Sequence, residues 1–305
     1  MRETKYSIII PHKNSFESLK RLLSTIPKSD DFQVIVVDDN SEPDEKDKLV
    51  GCKFNGNVNV IFNKDSVGAG KARNIALETA LGKWILFADA DDFFTSNLEV
   101  LLEEFYTTEQ DIVYFGTTSI FNDTGLEGNR HQRYMALVTD YLKDINNEDK
   151  LRYYYTPPWS KMIRREIVVN NKIYFEEIIA SNDILFSLKL AYYARSITAS
   201  DNILYIITMS AGSLTNSFSK RHFDSKFNAA LRANKFLCSI KKKRYQQSIL
   251  YFLAKSYKFG LKYMIYVICL LVKNRSNILI GFEKIFEYKK VLNQRENSKY
   301  LVKKD

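Results

Sequence analysis

Short apolar runs alternate with helical periodicity through the first 116 residues, and acidic groups stand at the ends of two of the runs. The runs Tyr6 to Ile10, Gln33 to Val37, Asn59 to Phe62, Trp84 to Ala88 and Ile112 to Phe115 read as strands. Between them, Glu17 to Ile26, Ala69 to Leu81 and Leu98 to Tyr106 read as helices. Such alternation predicts βαβ units, hence an α/β chain with a mainly parallel central sheet and a ligand crevice at the carboxyl ends of the strands. Pro11, the pair Asp38 and Asp39, and the pair Asp89 and Asp91 each follow an apolar run, so the topology gathers them on one rim.

The rest of the chain is organised differently. From Asn122 to Pro158 the residues are polar, aromatic and irregular, which predicts a loop or mobile region. A second compact pattern follows, with Trp159 to Ile163, a helix from Asp183 to Ala194 and a strand near Ile203 to Ile207. Charge then marks a third region: residues 1–219 carry 24 basic and 31 acidic side chains, whereas residues 220–305 carry 21 and 5, a net +16. A basic segment of this kind seeks an anionic partner, and nucleic acid, a membrane surface and the acidic body all qualify. Lys255, Lys258 and Lys262 are expected on one face of a helix, and the longest apolar run there, Tyr263 to Val272, has ten residues against the ~20 needed to span a bilayer. A helix lying on a membrane surface fits that pattern better than one crossing it. The three cysteines, Cys52, Cys238 and Cys269, are too scattered for a disulfide framework and favour a reducing compartment, and no secretory signal is expected at the start.

Several groups could carry chemistry. Asp89, Asp91 and Asp92 close the run Trp84 to Ala88, and hard oxygen ligands at i and i+2 can hold Mn2+ or Mg2+; a solvated acidic turn gives the same pattern. Asp38 and Asp39 could accept hydrogen bonds from a nucleobase or ribose, or simply close an Asx-type turn. The segment Gly68-Ala-Gly70-Lys71-Ala72-Arg73-Asn74 permits close backbone approach at a helix start, with Arg73 able to face a nucleotide, and it fits neither the P-loop nor the dinucleotide fingerprint. Asp183 is open to two readings, a helix-capping carboxylate or a general base at a cleft. The histidines show no ligand spacing; His12 is a rim residue.

Taken in order, these pieces resemble the family 2 glycosyltransferases of GT-A fold, such as those of bacterial O-antigen and capsule assembly. The resemblance rests on Ile8-Ile-Ile-Pro11-His-Lys-Asn14, Val37-Asp-Asp-Asn-Ser41, Gly68 to Asn74, and Gly82 through Asp89-Ala-Asp91-Asp92. It continues in Trp159-Ser-Lys161-Met-Ile-Arg164-Arg165, Asn182-Asp183-Ile-Leu-Phe186 and Ser213-Leu214-Thr215. Asn182 stands where the family usually has Glu, Lys13 where an aromatic is common, and Ile206-Ile207-Thr208 where many relatives have Tyr-Tyr-Arg.

The resemblance implies a nucleotide-sugar site of Pro11, Asp38, Asp39, Arg73 and Asp89, a metal held by Asp91 with Asp89, and Asp183 as catalytic base. It implies an inverting, metal-dependent transfer of a hexose from a UDP-sugar, with Mn2+ or Mg2+ as cofactor. Residues 1–219 would form the GT-A domain, with a nucleotide-sugar half to about residue 116 and an acceptor half over 117–219, and residues 220–305 a basic helical C-terminal region. With the basic tail, it suggests a lipid-linked saccharide acceptor, an anionic membrane surface rather than nucleic acid as partner, and a peripheral place on the cytoplasmic face. Two rivals remain: a polyprenyl-phosphate glycosyltransferase, against which Asp92-Phe93 and Asp183 speak, and a non-catalytic module using the same cleft.

Overall fold

The computed structural model describes residues 4–54, 57–209 and 219–274. Contacts divide the chain into two compact units, Met1–Met209 and Ser210–Asp305.

The first unit is built on one eight-stranded sheet of order β3-β2-β1-β4-β7-β6-β8-β5. Its N-terminal half is parallel: β1 (Tyr6–His12) lies between β2 (Phe32–Asp39) and β4 (Trp84–Phe87), and β3 (Val58–Asn63) forms the edge. Buried on every residue, β1 has the continuous apolar character of a strand covered on both faces. Strands β1 and β2 run two residues beyond the apolar pattern, because His12 and Asp38 pair in register and bury each other's polarity. The helices α1 (Phe16–Ser24), α3 (Ala69–Thr79) and α4 (Leu98–Glu104) fall close to expectation, while α2 (Pro43–Gly51) is an addition with only Leu49 buried.

The second half of the sheet is mixed. Strand β7 (Lys161–Arg164) is antiparallel to both β4 and β6 (Ile112–Phe121), β6 is parallel to β8 (Ile197–Met209), and the two-residue β5 (Phe93–Phe94) pairs antiparallel with β8. Helices α7 (Arg165–Asn170) and α8 (Ile184–Tyr193) pack nearby. The expectation of a loop from Asn122 to Pro158 is corrected: α5 (Gln132–Lys143) and α6 (Glu148–Tyr154) fill most of it. Helix α5 buries Tyr134, Val138 and Tyr141 at i, i+4 and i+7, a helical stripe masked by the hydroxyl-bearing aromatics that compose it.

The second unit contains α9 (Lys220–Ser239), α10 (Leu250–Ser256) and α11 (Leu261–Lys273) around a small core of Phe223, Phe227, Leu231, Ile249, Val267 and Leu271. Lys255, Lys258 and Lys262 do not share one helix face as expected. Gly260, at φ 94°, takes a conformation that side-chain-bearing residues avoid and breaks the run between α10 and α11. On α11 the residues Leu261, Ile265, Ile268 and Val272, spaced i, i+4, i+7 and i+11, are exposed as an apolar stripe. No helix among the described residues is long and apolar enough to cross a membrane. Ser213-Leu214-Thr215 and residues 275–305 of the basic tail lie outside the described residues.

Candidate active site

Strands β1, β2 and β4 end on the same rim because they are parallel, and each delivers part of a polar cluster there. Pro11 sits in register with Val37, one residue before His12. The His12 ring, buried beside it, places Nδ1 3.0 Å from Asp38 Oδ1, and its Nε2 accepts from the Ser15 backbone N–H at 3.3 Å. With Nε2 accepting, the proton is assigned to Nδ1, which donates to Asp38. Ser41 adds its hydroxyl and its N–H, the latter at 3.0 Å. Burial pushes the Asp38 pKa up, but the hydrogen bonds from Ser41 and His12 outweigh it and leave it below the ordinary carboxylate value. Asp38 is 0% exposed, so it ties β1, β2 and the start of α1 together from inside.

Asp39 is nearly as enclosed, and its two oxygens gather the loop that leads into α3. They accept from Gly68 N–H at 2.8 Å, Val67 N–H at 3.2 Å, Asn63 Nδ2 at 3.2 Å and the Ser66 hydroxyl at 3.3 Å. Gly68 turns the loop into the helix at φ 105°. Two residues on, a Cβ at Gly70 would stand 2.2 Å from the Glu176 carbonyl oxygen, so only glycine lets α3 approach the segment from Phe175 to Asn182 this closely. Asn74 completes that contact by pairing both of its amide atoms with the Phe175 backbone, at 2.8 and 3.0 Å.

Arg73 links the two halves of the site. Its guanidinium is buried against the Phe175 ring at 5.1 Å, donating to Asp89 Oδ1 at 2.5 Å and to Asn182 Oδ1 at 2.9 Å, with Nε left unpaired. The acidic turn after β4 is held from β8: Tyr205 Oη accepts the Asp89 N–H at 2.8 Å, and Asp92 accepts the Thr208 N–H at 2.7 Å. Burial raises the Asp92 pKa well above normal, with the charges of Asp91 and Asp89 adding to it. Asp91 is anchored by its backbone, whose carbonyl accepts from Arg21 and from the Thr208 hydroxyl, each at 2.6 Å. Its carboxylate reaches solvent, yet the surrounding protein and the Asp89 charge raise its pKa.

Asp183 stands at the start of α8 without capping it; its side chain makes no cap hydrogen bond. The capping reading therefore does not describe this residue. Burial raises the Asp183 pKa, Arg73 opposes that shift most, Asp89 adds to it and Lys161 opposes it. Arg73, Asp89 and Asp183 are thus linked, with Asp91 acted on by the neighbouring Asp89 charge, while Pro11, Asp38 and Asp39 lie at the carboxyl ends of the neighbouring parallel strands. Sequence reading assigned no part to Arg21, Asn74, Tyr205 and Thr208, which fix the cluster by contacts spanning 70 to 117 residues.

The chemistry of the donor set decides whether a divalent cation fits. Asp89 and Asp91 offer hard oxygen, and the raised pKa of Asp91 marks a carboxylate that a cation would relieve. Among the described residues no three acidic, histidine or cysteine side chains converge on one point, so the protein alone supplies an incomplete cage. That suits a cation such as Mg2+ or Mn2+ that keeps waters and substrate phosphates as its other ligands.

Comparison with known proteins bears on the family and the fold. The glycosyl transferase family 2 model matches residues 7–170. The poly(ribitol-phosphate) beta-N-acetylglucosaminyltransferase TarS of Staphylococcus aureus is 30% identical over 217 residues, 68% of this chain and 36% of TarS. The chain thus matches only about a third of that relative's length. Among solved structures, TarS 1-349 in complex with UDP-GlcNAc superposes with a TM-score of 0.60 at 18% identity, covering 92% of each chain. The mannosyltransferase PcManGT of Pyrobaculum calidifontis, in complex with GDP-Man and Mn2+, gives 0.52 at 12% identity over 98% of this chain and 83% of its own. These likenesses establish a GT-A type α/β fold, and the family model covers more than half of the chain. The chain belongs to glycosyl transferase family 2 and carries that family's glycosyltransferase domain.

Proposed function

We propose that the chain transfers a hexose from a UDP-sugar, with inversion and with the help of a divalent metal, to a hydroxyl of a lipid-linked glycan in surface polysaccharide assembly. The observation that carries this reading is Asp183, a carboxylate that does not cap its own helix and feels the Arg73 guanidinium that also binds Asp89. A carboxylate so placed can take a proton while the other end of the cluster meets a diphosphate. Support for the donor and metal comes from relatives: TarS is described with UDP-GlcNAc and PcManGT with Mn2+.

Asp39 would read the base or ribose, exchanging part of its hold on the Val67 and Gly68 amides for ligand groups. Pro11 and Asp38 would shape that pocket from behind, and Arg73 would orient Asp89 toward the donor. Asp91 with Asp89 would hold Mn2+ or Mg2+, which when bound supplies charge stabilisation for the leaving diphosphate. Asp183 accepts the proton of the acceptor hydroxyl as its oxygen bonds to the sugar C1 from the face opposite the leaving group. The C1–O bond to phosphate breaks with its electron pair departing on UDP. Residues 1–116 would form the nucleotide-sugar half and 117–219 the acceptor half. Release of UDP from a panel of UDP-sugars, with and without Mn2+, tests the reading; no turnover of any UDP-sugar in Mn2+ would count against it.

Residues 220–305 would hold the enzyme peripherally on the cytoplasmic face of the membrane. Their +16 net charge accompanies the exposed stripe of Leu261, Ile265, Ile268 and Val272. Each basic residue near an anionic surface contributes on the order of 1 kcal/mol, and inserted apolar side chains add to this. The full-length protein is expected to co-sediment with anionic vesicles, less with neutral ones, and less still as salt rises. Indifference to anionic vesicles at low salt would remove the membrane partner from the account.

A further inference from the structure

Strand β8 brings two hydroxyls to the acidic turn, and both grip its backbone rather than the carboxylates of Asp89 and Asp91. Tyr205 Oη accepts the Asp89 N–H at 2.8 Å, and Thr208 Oγ1 donates to the Asp91 carbonyl at 2.6 Å. These two contacts bracket the interval Asp89-Ala90-Asp91, which carries both candidate metal ligands. The rest of the turn is fixed by other means. Ala88 N–H donates to the Ile9 carbonyl and Asp92 N–H to the Asp89 carbonyl, each at 3.0 Å, and β5 leaves the turn paired with β8 through Phe93 with Ile206 and Phe94 with Tyr205.

Neither hydroxyl is needed to fill space. The Tyr205 ring is fully buried, stacked on Trp159 at 5.6 Å and 13° and set edge-on to Phe94 at 5.4 Å, contacts that a phenylalanine would keep. Valine has the shape of threonine, and the backbone N–H at position 208 would go on donating to Asp92 at 2.7 Å. What each oxygen adds is a hydrogen bond to the turn. Because packing on both sides holds the ring, its oxygen is a fixed point from which the Asp89 amide hangs. A pair of carboxylates binds a cation well when neighbouring groups hold it in ligating geometry beforehand.

We infer that Tyr205 and Thr208 are positioning residues, two hydroxyls of β8 that pin the backbone at either end of Asp89-Ala90-Asp91 and so set the affinity of this turn for a divalent cation. The inference rests on the reading of Asp91 with Asp89 as the metal ligands.

The test is calorimetry of UDP binding to the full-length protein across a series of Mn2+ concentrations. Tyr205→Phe is expected to raise the Mn2+ needed for half of the affinity increment about tenfold or more, with metal-free UDP affinity unchanged. Thr208→Val is expected to act in the same direction by a smaller factor, since Arg21 still holds the Asp91 carbonyl, and Thr208→Ser, which keeps the hydroxyl, to restore the parent midpoint. Should Tyr205→Phe fail to fold, the Thr208 pair carries the measurement on the same terms. A folded Tyr205→Phe with the parent's Mn2+ midpoint overturns the inference. So does a variant whose metal-free and Mn2+-dependent affinities fall together, since that marks a merely structural loss. Asp91→Ala, measured alongside, tells the failures apart. An increment that is absent from the parent or survives in Asp91→Ala ends the metal reading and this inference with it, whereas an increment lost in Asp91→Ala beside an unmoved Tyr205→Phe midpoint sinks only the role of β8.

Discussion

Asp183→Asn is expected to lower glycosyl transfer by about 10²-fold or more, the scale on which a general base contributes, while leaving UDP affinity and thermal stability close to those of the parent. The amide has the shape of the carboxylate but cannot take the acceptor proton. Stability is spared because Asp183 makes no cap hydrogen bond at the head of α8, so the helix loses nothing in the exchange. Burial raises the Asp183 pKa, so removing its charge also lifts a desolvation cost from the folded state. A comparison of single-turnover transfer with the calorimetric affinity for UDP reads both effects at once. Near-normal transfer would point to an acceptor that arrives ionised, such as a polyprenyl phosphate.

The second large effect concerns Asp91. Asp91→Ala is expected to abolish the increment in UDP affinity that Mn2+ confers, and with it metal-dependent turnover. Its fold is retained for a structural reason: Arg21 and Thr208 hold the Asp91 carbonyl rather than the carboxylate, so the turn survives truncation of the side chain. Neighbouring Asp92 is the opposite case, since its carboxylate is the acceptor for the Thr208 N–H and its loss would loosen the turn itself. Calorimetry of UDP binding in Mn2+ separates the two roles, and an Asp91→Ala protein with unchanged affinity would remove the metal from this site.

Much of the N-terminal half of the sheet was legible in the sequence because its information is local. The apolar runs of β1, β2 and β4 are continuous, and parallel topology alone sets Asp39, Asp89 and Asp91 on one rim. What binds those residues is not local. The hydroxyl of Tyr205 meets the backbone of Asp89 across 116 positions, and Asn74 pairs with Phe175 across 101. Neither residue has a spacing that announces its partner. Asp38 could be read as a ligand group or as part of a turn; its enclosure by His12 and Ser41 became visible only when β1 and β2 were in register. Asp183 likewise fits a helix cap or a base at a cleft in sequence, the cap being the default, and only the structure shows that no cap bond is made. Helix α5 was hidden because Tyr134 and Tyr141 carry hydroxyls that lower the apparent apolar content of a stripe they nonetheless bury.

The most direct test of the central claim is the NMR spectrum of the product formed by the full-length protein from a UDP-hexose and a lipid-linked acceptor in Mn2+. A single displacement, with Asp183 drawing the proton and UDP leaving from the opposite face, predicts that an α-linked donor yields a β-linked product. The coupling between H1 and H2 of the transferred sugar, for a gluco- or galacto-configured hexose, reports that configuration. An α-linked product would contradict the mechanism proposed for this site.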